Sequence, residues 1–317
     1  MQRTNIFLKK KMSAKRVKII GGREPSAAAA ITAAAARSAD TKDDDVENAS
    51  PETKPIAENP FIAELGYLVR KAPLPEARLA TIRLLQRQDA REEITLGYKE
   101  KLYARSLYSL NPGEKVNDEA IDTYAALLDK RVVGLDDAPY IFSTLFYTRL
   151  VLNGYDFDSV RSWTKPRNKD KLDLFQRRAV FFPINIDGVH WVLVYSDMIA
   201  HKLVYVDSLN WKGTKCLDVI TRYLCEEYEA TYEKPTPWTW TLVDCQASVP
   251  QQDNNVDCGV FMLMNLNLLH KGFELGVDVR LDLYYSQKDI ANARQQIQLD
   301  TMWSRVYNEP DTLRSRN

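Results

Sequence analysis

Hydrophobic residues between positions 60 and 91 recur every three or four residues, which is the spacing that lines one face of an α-helix. Pro73 and Pro75 interrupt this pattern, and proline ends or kinks a helix. The segment therefore predicts one or two amphipathic helices that break near the two prolines.

The rest of the chain alternates between helical and strand-like hydrophobic patterns. The predicted helices are 120–128, 140–152, 217–228, 258–269 and 286–306. The predicted strands, which are short and rich in β-branched and aromatic residues, are 179–186, 190–195, 203–206 and 240–243. Helices at both ends, with hairpin-linked strands between them, predict an α+β fold with a mainly antiparallel central sheet flanked by helices.

Residues 1–58 have the composition of a disordered tail, with a basic cluster, an Ala-rich stretch and an acidic patch in that order. The basic cluster consists of Arg3, Lys9, Lys10, Lys11, Lys15, Arg16 and Lys18. It is compatible with a nuclear-localisation signal, a solvated basic arm or a mitochondrial-type presequence. We divide the chain into this tail, a helical N-terminal extension (59–94) and a catalytic domain (95–317), and we expect a nuclear or cytoplasmic location.

Composition argues against several classes of function. The 317 residues carry 43 basic and 43 acidic side chains, so the net charge gives no argument for nucleic-acid binding. The sequence contains neither an apolar secretion signal nor a run of 18 apolar residues, so no association with a membrane is expected. Its four cysteines form no C-x-x-C pair and only three histidines accompany them, which disfavours a zinc site. We expect no metal and no cofactor.

His190 begins one predicted strand, and Asp207 follows the next strand. A four-residue hairpin loop at 197–200 would pair Ser196 with His201 and place His190 directly opposite Asp207. Directly opposed residues of an antiparallel pair share a face, with Cβ atoms about 5 Å apart. A carboxylate in that position orients an imidazole and stabilises the imidazolium, as in nucleophilic triads. A chance pairing of two surface residues is the alternative, because a slip of one residue changes the register.

Cys258 lies where a polar loop meets a hydrophobic run that predicts a buried helix. At a helix N-terminus the macrodipole stabilises a thiolate, and we expect this thiol at an accessible edge, with His190 accepting its proton. Gly259 allows backbone or substrate to approach closely. Gln252, on the same loop, is either an ordinary polar residue or an amide donor that joins the Cys258 N–H in an oxyanion hole. The remaining cysteines are typical of small buried hydrophobes: Cys216, Cys225 and Cys245.

Five blocks of sequence together resemble the motifs of the ubiquitin-like-protein-specific cysteine proteases. This is the sentrin/SUMO-protease family, whose fold is related to that of adenovirus-type endopeptidases (adenain). The resemblance covers residues 95–310. The blocks are LNPGEKVND (110–118), FPIN with HW (182–185 and 190–191), VYVDSL (204–209), PQQDNNVDCG (250–259) and YSQKDI (285–290). The order His, Asp, Cys separates this family from papain-type enzymes, in which the cysteine comes first.

The resemblance implies the roles of four residues and the class of substrate. Cys258 would be the nucleophile, His190 the general base, Asp207 the residue that orients it and Gln252 the oxyanion donor. The substrate would be a protein that ends in, or is conjugated to, a ubiquitin-like modifier with a C-terminal Gly-Gly, most often SUMO. The bond after that glycine would be hydrolysed through a thioester. We expect such a protein to act as a monomer.

The same resemblance implies a substrate channel, and here the sequence departs from the family. Trp191 would form one aromatic wall, and Asn117, Asp118 and Gly259 would also lie along the channel. Most members have a tryptophan, which forms the opposite wall, where this chain has Lys115. A lysine stem can cover two glycines while its ammonium stays in water, but it is not a flat aromatic ring.

Two other functions therefore remain open at the level of sequence, and a third is disfavoured. A cysteine endopeptidase of the same fold but different specificity is favoured by the departure at Lys115. An effector-type acyltransferase would form the same thioester and resolve it with an amine. A non-catalytic binder of a ubiquitin-like protein would have no use for His190, Asp207, Cys258 and Gln252 together.

Overall fold

The computed structural model describes residues 101–164, 172–244 and 248–303. It also describes residues 75–85 and 93–95 and the single residues 65, 68, 69, 89 and 91. The predicted tail at 1–58, the cysteine at position 245 and the end of the chain after residue 303 lie outside the described residues. The division into tail, extension and catalytic domain stays a prediction.

A five-stranded sheet forms the centre of the fold, and its strands lie side by side in chain order. The strands are β3 (Tyr140–Ile141), β4 (Ala179–Ile186), β5 (His190–Asp197), β6 (Lys202–Val206) and β7 (Thr241–Asp244). The α+β class is confirmed, and the two inner pairings, β4 with β5 and β5 with β6, are antiparallel. The two outer pairings are parallel, which makes the sheet mixed. Helices α4 (Leu145–Val151) and α5 (Thr214–Tyr232) supply the crossovers that parallel neighbours need.

Helices cover both faces of this sheet. On one face, Leu193, Val204 and Val206 belong to a core cluster with α3 (Asp118–Arg131) and α6 (Cys258–Leu275). On the other face, the alternate strand residues belong to a second cluster with α4 and α5. Strand residues buried on both sides explain why these segments are almost continuously apolar rather than alternating.

The predicted N-terminal extension contributes a helix, α1 (Glu76–Leu85), and several core residues. Ile82 packs with Leu299 of the closing helix α7 (Ile290–Trp303). Leu65, Leu68 and Val69 are buried in the cluster that also contains α3 and α6. A two-stranded antiparallel sheet, β1 (Glu93–Thr95) with β2 (Lys101–Tyr103), and the short helix α2 (Ala104–Tyr108) were not predicted.

The predicted register of the β5–β6 hairpin is wrong by two residues. Tyr195 faces Val204, not Lys202, and Lys202 pairs instead with Asp197. The physical reason is the turn: the Asp197 carboxylate accepts the backbone N–H groups of Ile199 and Ala200, which keeps Asp197 as the last strand residue. A two-residue shift leaves every side chain on its predicted face, so His190 and Asp207 still share a face.

Neither a membrane-crossing helix nor a metal cluster occurs in the part of the chain that the structure describes. None of its helices is long and apolar enough to span a bilayer. No three His, Cys, Asp or Glu side chains among the described residues converge on a common point that a metal ion would occupy.

Candidate active site

The His190 imidazole lies at the start of β5, directly after a tight turn. Asp187 and Gly188 adopt positive φ angles of 51° and 74°, and β4 and β5 pair from Ile186 and His190 onward. His190 Nε2 lies 2.7 Å from Asp207 Oδ1, and both residues are buried. The structure therefore brings these two predicted residues together as a diagonal pair rather than as directly opposed partners.

The Asp207 carboxylate is held by four hydrogen bonds. Oδ1 accepts His190 Nε2 and the Leu209 backbone N–H at 2.8 Å. Oδ2 accepts the Trp211 backbone N–H at 3.0 Å and the Tyr205 hydroxyl at 3.1 Å. Because three donors besides the imidazole fix this group, it presents a rigid anionic acceptor to His190.

The Cys258 thiol occupies the first position of α6, as predicted, but it is only 2% exposed rather than at an open edge. It belongs to the core cluster that also contains Val116 and Trp191, which explains the burial. Burial raises the pKa of a thiol. Here the hydrogen bond with His190, the Trp191 backbone amide, the charge of His190 and the Gly259 backbone amide outweigh that effect and lower the Cys258 pKa.

The pKa of His190 shifts in the opposite direction, to about 9. Burial would lower it, but hydrogen bonds to Asp207 and Cys258, with the attraction of both charges, outweigh that effect. A raised imidazole pKa and a lowered thiol pKa favour a thiolate–imidazolium pair near neutral pH. Since Nε2 is bonded to Asp207, Nδ1 is the ring nitrogen left for the sulfur.

Gln252 is anchored beside Asp207 through the adjacent Ser208. Its Oε1 accepts the Ser208 hydroxyl at 2.6 Å, and its backbone N–H donates to the Ser208 carbonyl at 2.9 Å. Its Nε2 donates to the Asn254 carbonyl at 2.6 Å. An amide nitrogen carries two hydrogens, so this contact uses one of them and leaves the other to donate to an oxyanion. The oxyanion role stays a prediction.

Trp191 and Gly259 pack against each other next to the nucleophile. The indole Nε1 donates to the Val116 carbonyl at 2.8 Å, which fixes the ring. A Cβ added at Gly259 would lie 2.7 Å from Val116 Cβ and 3.2 Å from Trp191 Cδ1. The glycine therefore gives space to these two side chains; its contact with substrate stays a prediction.

Lys115, Asn117 and Asp118 lie on the segment that leads into α3. Lys115 is exposed, and its ammonium is 3.4 Å from the carbonyl oxygen of Val189, the residue before His190. Asn117 is the N-cap of α3, because its side-chain oxygen accepts the Ala120 N–H at 2.9 Å. Asp118 is exposed. Lys115, Asn117, Asp118 and Trp191 all line one cavity, which is consistent with the predicted channel.

That cavity is an open groove of about 740 Å³ beside His190. Its walls include the segment 115–118, helix α4, the turn 185–189 and the segment 211–216. Four exposed apolar side chains line it: Leu145, Leu152, Val189 and Trp211. Exposed apolar side chains that cluster around one groove indicate a binding site for another protein.

A buried ion pair behind the nucleophile was not predicted. Arg294 of α7, which is 2% exposed, donates to Asp257 Oδ1 through Nε at 3.0 Å and Nη2 at 2.6 Å. It also donates to the carbonyls of Asn111 at 3.0 Å and Glu114 at 2.9 Å. The residue before Cys258 is thus tied to the segment that precedes Lys115. Asp257 could have been found from its place in the Cys258 motif, but an arginine inside an amphipathic helix gives no such signal.

Comparison with known proteins identifies a protein family whose model matches this sequence. Residues 114–304 match the model described as the Ulp1 protease family, C-terminal catalytic domain. Ubiquitin-like-specific protease ESD4 of Arabidopsis thaliana is 35% identical over 175 residues, or 53% of this chain. Human sentrin-specific protease 5 is 29% identical over 204 residues, or 63% of this chain. The chain spans 35% of the first relative and 24% of the second, so both are much longer proteins.

Solved structures show the same fold. The SUMO protease Ulp1 with its catalytic cysteine oxidised to a sulfenic acid is 25% identical, with a TM-score of 0.57. The match covers 74% of this chain and 97% of that structure. The Ulp1 protease domain in complex with Smt3, the yeast ortholog of SUMO, has a TM-score of 0.58 at 22% identity. The latter match covers 73% of this chain and 96% of that structure.

Proposed function

Because the chain belongs to the Ulp1 protease family, we propose that it is a cysteine protease of ubiquitin-like modifiers, with SUMO or a close relative as substrate. The reaction is hydrolysis of the peptide or isopeptide bond after the C-terminal glycine of the modifier. The observation that carries this proposal is the arrangement of Cys258, His190 and Asp207. A thiol of lowered pKa faces an imidazole of raised pKa that is held 2.7 Å from a buried carboxylate.

The chemistry follows from these positions. The Cys258 thiolate attacks the glycine carbonyl carbon, and the C–N bond breaks as the His190 imidazolium gives its Nδ1 proton to the leaving amine. The neutral imidazole then takes a proton from water, whose oxygen attacks the thioester and releases the modifier and the thiolate. Asp207 stabilises the imidazolium at each stage. The Cys258 backbone N–H and one Gln252 amide hydrogen stabilise the oxyanion.

The groove supports a protein substrate with a slim C-terminal tail. Its apolar rim suits the body of a folded modifier, and Trp191 lies where the groove approaches Cys258. The Lys115 ammonium lies 3.4 Å from the Val189 carbonyl oxygen, which supports a role for the lysine stem as a cover of the channel in place of the usual aromatic wall. Asn117 holds the start of α3, and Asp118 offers a carboxylate to the substrate. Such an enzyme would act in the nucleus or cytoplasm.

A panel of modifiers tests the proposal. Fluorogenic C-terminal derivatives of SUMO, ubiquitin and other ubiquitin-like proteins are incubated with the wild type and with Cys258→Ala. We expect turnover of at least one modifier by the wild type and none by the variant. Equal hydrolysis by Cys258→Ala would show that another group is the nucleophile.

A cysteine endopeptidase of other specificity is the second candidate, and Lys115 is the observation that favours it. A peptide library without any modifier distinguishes the two functions. Cleavage of library peptides together with inertness toward every modifier would replace the first proposal by this one.

A further inference from the structure

The indole of Trp211 covers the catalytic imidazole. The two ring centroids are 4.7 Å apart with an angle of 57° between the planes. Trp211 is 46% exposed, whereas His190 is 2% exposed. The indole is therefore the solvent-exposed ring that contacts the buried imidazole, at the edge of the groove.

The backbone places Trp211 there by the same contacts that hold the carboxylate. The Leu209 and Trp211 N–H groups both donate to Asp207, which folds the chain back immediately after β6. Asn210, with a φ of 60°, supplies the left-handed residue that this turn requires, and asparagine tolerates that conformation. The position of the indole therefore depends on the same backbone turn that holds the Asp207 carboxylate.

We propose that Trp211 is a positioning residue of the catalytic site, which stabilises the His190 imidazolium and shields its ion pairs with Cys258 and Asp207 from water. The indole face attracts a cation within about 6 Å of the ring centroid. Exclusion of water strengthens the attraction between the imidazolium and its two anionic partners, Asp207 and the Cys258 thiolate. These are the charged groups that act on His190. The turnover part of the test rests on the proposed function, but the alkylation part does not.

The first measurement is the rate of alkylation of Cys258 by iodoacetamide as a function of pH, with the modified cysteine identified by mass spectrometry. In Trp211→Ala we expect the rate near pH 6 to fall by about 3- to 30-fold, because the thiolate then loses imidazolium stabilisation. Near pH 10, where the thiol ionises without that help, we expect rates within about twofold of the wild type. Trp211→Phe, which keeps an aromatic face, should retain most of the rate at low pH.

Trp238 offers a matched control. Its indole stacks on His201, with centroids 4.1 Å apart and an interplanar angle of 12°, and it takes no part in the catalytic site. Trp238→Ala should leave the pH profile of Cys258 alkylation unchanged. That result would show that the effect of Trp211→Ala comes from the contact with His190 and not from the loss of an indole–histidine contact in general.

Steady-state kinetics on a modifier substrate completes the test. We expect Trp211→Ala to lower kcat, with Trp211→Phe again close to the wild type. An unchanged alkylation profile in Trp211→Ala, with only KM raised, would overturn the proposal and make Trp211 a wall of the substrate groove. An equal loss at both pH values in the Ala and Phe variants would also overturn it, because that is the result of general structural damage. If no modifier is turned over by the wild type, alkylation alone decides the role of Trp211.

Discussion

Replacement of Asp207 by asparagine isolates the contribution of the carboxylate, because the side chain keeps its size. Each Asp207 oxygen accepts two donors, so one of them becomes an NH₂ group that faces N–H donors. If the NH₂ replaces Oδ1, it favours the His190 tautomer with its proton on Nδ1, which cannot accept the proton of the Cys258 thiol. If it replaces Oδ2, it opposes the Trp211 N–H. Both arrangements remove the negative charge.

The magnitude follows from the pKa of His190. The net rise from 6.5 to about 9 corresponds to roughly 3 kcal/mol of imidazolium stabilisation, which Asp207 and Cys258 supply in excess of the opposing effect of burial. We therefore expect Asp207→Asn to lower kcat by about 100-fold, which is of the same order as the roughly 300-fold that corresponds to the net shift. Substrate affinity should change little, since Asp207 is buried behind His190.

The assay is kcat and KM on a fluorogenic modifier, with unfolding midpoints to confirm that each variant is folded. Asp197→Asn is the matched control, because the same substitution lies at the opposite end of the β5–β6 hairpin, where the carboxylate only caps a turn. Its kcat should stay within about twofold of the wild type, since its effect is on stability. A fall of less than about threefold in Asp207→Asn would refute the reasoning, because the carboxylate would then contribute little to imidazolium stabilisation.

Three further substitutions test the channel wall, the packing at Gly259 and the burial of Asp129. Lys115→Trp should raise kcat/KM on modifiers that end in Gly-Gly if a flat wall improves the channel; an unchanged value would reject that idea. Gly259→Ala forces the new Cβ against Val116, so the unfolding free energy should fall by about 1–3 kcal/mol, and denaturant titration would contradict this by showing no change. Burial raises the pKa of Asp129 from 3.8 to about 7, so the folded state loses stability as pH rises between these values. Asp129→Asn should then stabilise the protein by roughly 1–3 kcal/mol near pH 8 and not near pH 4, whereas equal effects at both pH values would exclude the ionised carboxylate as the cause.

Much of this site follows from local sequence because its chemistry depends on short segments. A polar loop that enters a hydrophobic helix places Cys258 at a helix N-terminus, and strand periodicity places His190 and Asp207 on one face. The predicted hairpin register is wrong because a single side chain determines it. The Asp197 carboxylate caps a turn that lies one residue further along the chain than predicted, so the strand pairing shifts by two residues.

Long-range contacts account for what the sequence did not predict. Arg294 and Asp257 are 37 positions apart and meet only when α7 packs behind the nucleophile. The burial of Cys258 arises from Val116 and Trp191, which belong to other segments of the fold. The parallel edges of the sheet depend on where α4 and α5 cross, which a local hydrophobic pattern does not encode.

Catalysis by this site requires that Cys258 exists as a thiolate paired with the His190 imidazolium, and titration of the thiolate absorbance in the ultraviolet measures that ionisation. The difference between the wild type and Cys258→Ala, followed as a function of pH, reports the ionisation of this one thiol. We expect a step at a pKa below the ordinary thiol value of 9.0, and a return toward that value in His190→Asn. A step near 9 in the wild type, unaffected by His190→Asn, would contradict the thiolate–imidazolium pair.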